Sequence, residues 1–115
     1  MLLLRCYWKA QEILKVVEHA NTFTSRLRGL LGRSELPAHT GLLITPCSSV
    51  HTLGMSFAIG VLFLDAQDQV CHMMPELRPG RLSPWVPRAR QVLEVNPQLL
   101  LAYPIAVGDS LAFHA

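Results

Sequence analysis

The stretch VHTLGMSFAIGVLFLDAQDQV, residues 50–70, decides the fold. Its centre, IGVLFLD at 59–65, is continuously apolar, which is typical of a strand that is covered on both faces. The DAQD sequence that follows predicts a turn, because aspartate side chains accept hydrogen bonds from nearby amides and Asp68 tolerates left-handed backbone. The next residues, QVCHMM, are expected to return as the second strand of a hairpin.

Short strands are predicted on both sides of this hairpin, although flanking alanines leave a helix as the alternative for ILKVVE. One short helix is expected near residues 24–31, capped by Thr22 or Thr24 and ended at Gly32. The proline-rich residues 75–88 are expected to form an irregular loop. The other predicted strands are LLLRCYW at 2–8, ILKVVE at 13–18, GLLIT at 41–45, ARQVLEV at 89–95 and a last strand from Ser110.

Composition predicts one globular domain over residues 1–115, since half of the residues are hydrophobic and 16% are charged. A net charge of +2 is too small to indicate nucleic-acid binding. No apolar run approaches the roughly 20 residues of a membrane span, and the lack of a signal peptide predicts a cytoplasmic location. The three cysteines have no disulfide or zinc spacing, so neither a metal nor a cofactor is predicted.

Many short strands, frequent turns and one short helix predict a mainly β protein, a small antiparallel β-sandwich or barrel. Four pieces of the sequence, in this order, also resemble domain-of-unknown-function family 192, a bacterial and archaeal group, over about residues 20–113. The resemblance implies a jelly-roll-like sandwich and no established activity. The four pieces are TFTSRLRGLLGR, GLLITPCSSVHTLGMSFAIGVLFLDAQDQV, ARQVLEV and VGDSLAF.

The sequence departs from the family pattern at several positions. Gly60 stands where members usually have an aspartate, so a polar site in the central segment would lack one carboxylate. Members often carry an arginine and a proline near Ser56 and Ala58. They also usually have a glycine-containing turn where this chain has Asn96-Pro97.

A buried carboxylate is the first candidate site residue. Glu94 lies within ARQVLEV among apolar neighbours, where a lone charge is costly unless it is paired. The guanidinium of Arg28 or Arg33, from the turn RGLLGR, could form a bidentate ion pair with it. A fold-stabilising ion pair is the preferred interpretation, and a polar pocket in which an arginine holds an acidic ligand group is the functional alternative.

His51 is the second candidate, because the charge of a histidine changes near neutral pH. The polar content of its stretch, which also contains Met55, makes this the best place to look for a site. Cys47 or Cys71 with His51 or His72 could form a nucleophilic or zinc-binding set, but buried thiols and a hydrogen-bonded histidine are preferred. The candidate ligand-binding residues are Arg28, Arg33, His51, Met55 and Glu94, and no catalytic or metal-binding residue is assigned.

Three functions follow as hypotheses. The preferred one is a non-catalytic β-domain that binds a small ligand, a peptide or a protein partner. The second is a thiol- or metal-assisted hydrolase that uses the cysteine and histidine pairs. The third is a structural accessory of a secretion or pilus assembly. Nucleic acid is not an expected partner, and the oligomeric state is left open.

Overall fold

The computed structural model describes residues 3–22, 25–26 and 29–115. Within these residues the chain forms seven strands and a short helix, α1 (Pro97–Ala102), which Asn96 caps by accepting a hydrogen bond from the amide of Gln98. The strands are β1 (Leu3–Trp8), β2 (Gln11–Ala20), β3 (Thr40–Ile44), β4 (Ile59–Leu64), β5 (Val70–Leu77), β6 (Gln91–Val95) and β7 (Leu111–His114).

The strands form one sheet in the order β5-β4-β6-β3-β2-β1-β7, which curls into a half-barrel. All neighbouring pairs are antiparallel except β2 and β3, which run parallel. The mainly β fold predicted from the sequence is confirmed, and the single curled sheet corresponds to its barrel form.

The predicted hairpin is present in detail. Every residue of β4 is buried, as expected for a strand that is covered on both faces. In the turn to β5, the Asp65 side chain accepts hydrogen bonds from the amides of Gln67 (2.9 Å) and Gln69 (3.0 Å). Asp68 has a φ of 60°, so it takes the left-handed conformation that the sequence predicted.

Alternate residues of the central strands pack on opposite faces of the sheet. On β3, Leu43 joins the first core, on the face that α1 covers, whereas Leu42 joins the second core. Each fully buried side chain of this size contributes about 1.5–3 kcal/mol. The first core includes Trp8, Val17, Leu62, Leu93, Leu99 and Leu111, and the second includes Leu30, Leu36, Ile44, Val61, Phe63 and Val92.

The predicted helix near 24–31 is only partly described. Ser25 and Arg26 are helical, and residues 29–32 form a turn, while Thr24, Leu27 and Arg28 lie outside the described residues. Thr22 caps this segment as expected, because its hydroxyl accepts the amide of Ser25 at 3.1 Å. In the described part of the chain, no helix is long and apolar enough to cross a membrane.

Candidate functional site

A cavity of about 180 Å³ opens on the face of the sheet that carries the second core. Its floor comes from the ends of β3 and β6, and its walls come from the segment after β2 and from the loop between β3 and β4. The lining is mostly apolar, which is the usual character of a small-molecule site. The apolar lining residues are Leu30, Leu31, Ile44, Pro46, Val50 and Met55.

The loop between β3 and β4 is held in place by Thr52, which is completely buried. The amides of Gly80 and Arg81 donate to the carbonyl and hydroxyl oxygens of Thr52, both at 2.9 Å, and its hydroxyl donates to the carbonyl of Arg78. Beside it, the amide of Val50 donates to the Ser83 hydroxyl at 2.8 Å. These bonds fix one wall of the cavity against the proline-rich loop.

Arg26 contributes a cation to the opposite wall. Its guanidinium donates to two backbone carbonyls, from Nε to Thr22 at 3.4 Å and from Nη1 to Pro46 at 3.3 Å. Both bonds are long, so they orient the side chain without using the full donor capacity of its five N–H groups. A positive charge therefore borders a mostly apolar cavity.

Glu94 contributes a carboxyl group to the floor. It lies on β6, is only 4% exposed, and pairs with the buried Leu42 on β3 and the buried Val61 on β4. Burial raises the pKa of Glu94 from its ordinary value of 4.5 to about 7, although the nearby Arg33 guanidinium lowers it. The carboxyl group therefore changes its charge close to neutral pH.

The predicted ion pair between Arg33 and Glu94 is wrong. The fork of Arg33 holds Glu18 instead, with Nη1 and Nη2 at 2.7 and 3.1 Å from the carboxylate oxygens. Glu18 is on β2, and both its side chain and that of Arg33 are partly exposed, so this bidentate pair has a smaller desolvation cost than a pair with the buried Glu94 would have. Arg28, the other predicted partner, lies outside the described residues.

His51 and Met55 line the cavity together with Glu94, as three of the five candidate residues. His51 is exposed, and its Nδ1 accepts the amide of Leu53 at 3.2 Å, so the ring stabilises the bend of its own loop. Its backbone bridges to Leu82 in the proline-rich loop. Met55 is half-buried and packs against the second core.

The thiols do not pair with histidines. Cys47 Sγ donates to the Ser49 carbonyl at 3.0 Å, and Cys71 Sγ donates to the Phe63 carbonyl at 3.4 Å. Burial is the largest cause that raises the pKa of both thiols, which disfavours the nucleophilic thiolate. Among the described residues, no group of three or more His, Cys, Asp or Glu side chains could hold a metal ion.

Sequence reasoning missed Arg26 as a site residue. It selected Arg28 and Arg33 from the arginines around the predicted helix. The three leucines of so short a helix do not determine which of its arginines faces the cavity. The buried Thr52 was also missed, and no local pattern distinguishes it from a surface threonine. Glu94 was found because a carboxylate in an apolar strand is itself a signal.

The fold and the cavity define a small β-domain with a mixed polar and apolar pocket. Over residues 8–113 the chain matches the family DUF192, described as "Uncharacterized ACR". The chain belongs to this family. It is 31% identical over 113 residues to the UPF0127 protein PF1050 of Pyrococcus furiosus, an alignment that covers 92% of this chain and 93% of that protein.

Two solved structures have a similar fold. A protein of unknown function from Novosphingobium aromaticivorans matches with a TM-score of 0.82 at 19% identity, over 96% of this chain and 84% of that chain. A Sinorhizobium meliloti protein described as a "putative transcription regulator" matches with a TM-score of 0.78 at 18% identity, over 96% and 92% of the two chains. At such identities the likeness shows the fold alone.

Proposed function

We propose that this protein is a non-catalytic β-domain that binds a small ligand in the cavity between Arg26, His51, Met55 and Glu94. The observation that supports this is the combination of an apolar lining with a few polar groups at one place on the fold. An apolar cavity of about 150 Å³ in another protein admits benzene. A volume of about 180 Å³ therefore suits a molecule with an apolar body of about six heavy atoms.

The test is a titration of the ¹⁵N-labelled protein with 3-methyl-1-butanol, a neutral probe of suitable size. We expect saturable shifts of the backbone amide signals of Val50, Met55 and Glu94, because these residues line the cavity. Met55→Trp should abolish the shifts of the Val50 and Glu94 amides, because the larger side chain fills the cavity. Met73→Trp, at a half-buried methionine on β5 that packs against the first core, is the matched control and should bind as the wild type does.

A titration without saturable shifts at these amides would contradict the proposal, as would unchanged binding by a folded Met55→Trp variant. A role for Arg28 and Arg33 in the same binding event stays a prediction, as do a peptide or protein partner and a cytoplasmic location.

A further inference from the structure

The cavity holds two opposite charges that do not neutralise each other. Arg26 and Glu94 both line it. Among the described residues, ion pairs join Arg5 to Glu12, Arg33 to Glu18, Arg78 to Glu76 and Arg88 to Asp65, and none joins Arg26 to Glu94.

Cys47 lines the same cavity as the two charged residues. Its thiol feels the negative charge of Glu94 and the positive charge of Arg26, which act on it in opposite directions. The sulfur itself is occupied by the Ser49 carbonyl. The two charges therefore border the same small space, and apolar side chains make up most of the rest of its lining.

Charges so arranged are complementary to a ligand that carries both signs. A cation alone would face Arg26, and an anion alone would face Glu94, so either would meet repulsion in a space of about 180 Å³. A zwitterion offers each of the two charged side chains a group of opposite sign, and its apolar body replaces water beside Leu30, Val50 and Met55.

We propose that the cavity binds a small zwitterion with a branched aliphatic body, a free apolar α-amino acid. Its ammonium contacts Glu94 and its carboxylate contacts Arg26, while the side chain lies on the apolar lining. This inference rests on the proposed function and names the ligand class of the same cavity.

The experiment compares L-leucine with three probes that share its branched aliphatic chain, at about pH 8, where Glu94 is largely ionised. The probes are 3-methylbutylammonium, which lacks the carboxylate, 4-methylpentanoate, which lacks the ammonium, and 3-methyl-1-butanol, which lacks both charges. Dissociation constants come from the shifts of the Val50, Met55 and Glu94 amides. We expect leucine to bind about tenfold or more tightly than each of the others.

Two variants separate the contributions of the two charges. Glu94→Gln should weaken leucine and 3-methylbutylammonium but leave 4-methylpentanoate unchanged or tighter, and Arg26→Gln should give the mirror result. Arg5→Gln is the matched control, because this arginine on β1 is not a lining residue. It should bind all four probes as the wild type does. Comparison of the probes on the wild-type protein needs no variant to fold.

Tightest binding of 3-methylbutylammonium would overturn the inference in favour of a cationic ligand. Equal affinity for leucine and 3-methyl-1-butanol would overturn the zwitterion inference and leave the cavity as an apolar pocket. Tightest binding of 4-methylpentanoate would overturn it in favour of an acidic ligand. Failure of all four probes to bind would contradict the proposed function itself.

Discussion

Burial of Glu94 costs folding free energy, and it also gives the carboxyl group a pKa near neutral pH. Glu94 pairs with Leu42 on β3 and with Val61 on β4, and burial opposes the ionisation of its carboxyl group. A carboxylate at such a position is a candidate for a role besides packing, and we propose that this role is ligand binding in the cavity that Glu94 lines.

The raised pKa of Glu94 predicts a pH-dependent stability. Between pH 4.5 and about 7 the folded state binds more protons than the unfolded state, so the free energy of unfolding falls as the pH rises through this window. The loss amounts to about 3 kcal/mol. Glu94→Gln has no charge to bury, so its melting temperature relative to that of the wild type should rise by roughly 5–10 °C from about pH 5 to about pH 8.

Thermal melts of both proteins across this pH range measure the difference, in which the effects of all other titrating groups cancel. Glu76→Gln, at an exposed carboxylate, should show no such trend. A constant difference between Glu94→Gln and the wild type would show that Glu94 titrates normally in the folded state.

Gly60 has a steric explanation in this chain. A Cβ built at this position would lie 2.8 Å from Leu100 Cδ1 and 3.1 Å from Val95 Cγ2, so α1 occupies the space that the usual family aspartate would need. We expect Gly60→Asp to lower the free energy of unfolding by about 3 kcal/mol, because it buries a carboxylate among aliphatic groups.

Urea denaturation measures the effect, and Gly60→Ala is the control that separates volume from charge. The alanine should cost about 1 kcal/mol, since the end of the Leu100 side chain can give way. Adding Leu100→Ala to Gly60→Asp should restore part of the stability. An aspartate variant as stable as the alanine variant would refute the argument from buried charge.

At the scale of elements, a chain of side-chain hydrogen bonds ties the β4–β5 turn to the edge of the cavity wall. Gln91 Nε2 donates to Asp68, and the Thr45 hydroxyl donates to Gln91 Oε1 at 2.7 Å. His19 Nε2 lies 3.0 Å from the Thr45 hydroxyl oxygen. Because this hydroxyl has one proton, which goes to Gln91, His19 must donate to it. These hydrogen bonds thereby connect β2, the residue after β3, β6 and the turn.

These hydrogen bonds predict how substitution of Gln91 changes the pKa of Asp68. Burial raises the pKa of Asp68, and the hydrogen bond from Gln91 opposes the rise. Gln91→Leu removes that bond, so the pKa of Asp68 should rise further, which ¹³C NMR titration of its carboxyl carbon measures. Gln67→Leu, in the exposed part of the same turn, should leave it unchanged. An unaltered titration in Gln91→Leu would mean that water replaces the amide without loss.

Elements were more predictable than their arrangement. The hairpin of β4 and β5 was predicted because an apolar run, an aspartate turn and a return strand are all local signals. The insertion of β6 between β4 and β3 and the parallel pairing of β2 with β3 depend on contacts between distant parts of the chain. The site follows the same rule, since Glu94 is conspicuous locally, whereas Arg26 reaches the cavity only through the path of the loops.

At the scale of the whole molecule, the two edge strands of the sheet meet at one end of the half-barrel. The amide of Val70 donates to the Asp109 carbonyl at 2.8 Å, that of Gly108 to the Val70 carbonyl at 2.7 Å, and that of Leu111 to the Asp68 carbonyl at 2.9 Å. These bonds pair backbone groups that an open edge would leave available for other chains.

The Asp109 side chain holds this junction, and its removal should loosen the junction selectively. Its Oδ2 accepts hydrogen bonds from the amide of Ala106 and from Trp8 Nε1, both at 2.9 Å, and these two bonds lower its pKa. In Asp109→Ala the turn before β7 loses this anchor, so the amides of Val70 and Leu111 should exchange with solvent about tenfold faster or more.

The Leu93 amide, at the centre of the sheet, should keep its rate relative to global unfolding. Asp109→Asn, which retains an acceptor oxygen, should lie between the two proteins. Hydrogen-exchange NMR distinguishes these cases, and wild-type exchange at Val70 and Leu111 in Asp109→Ala would show that the backbone bonds alone keep the edges together.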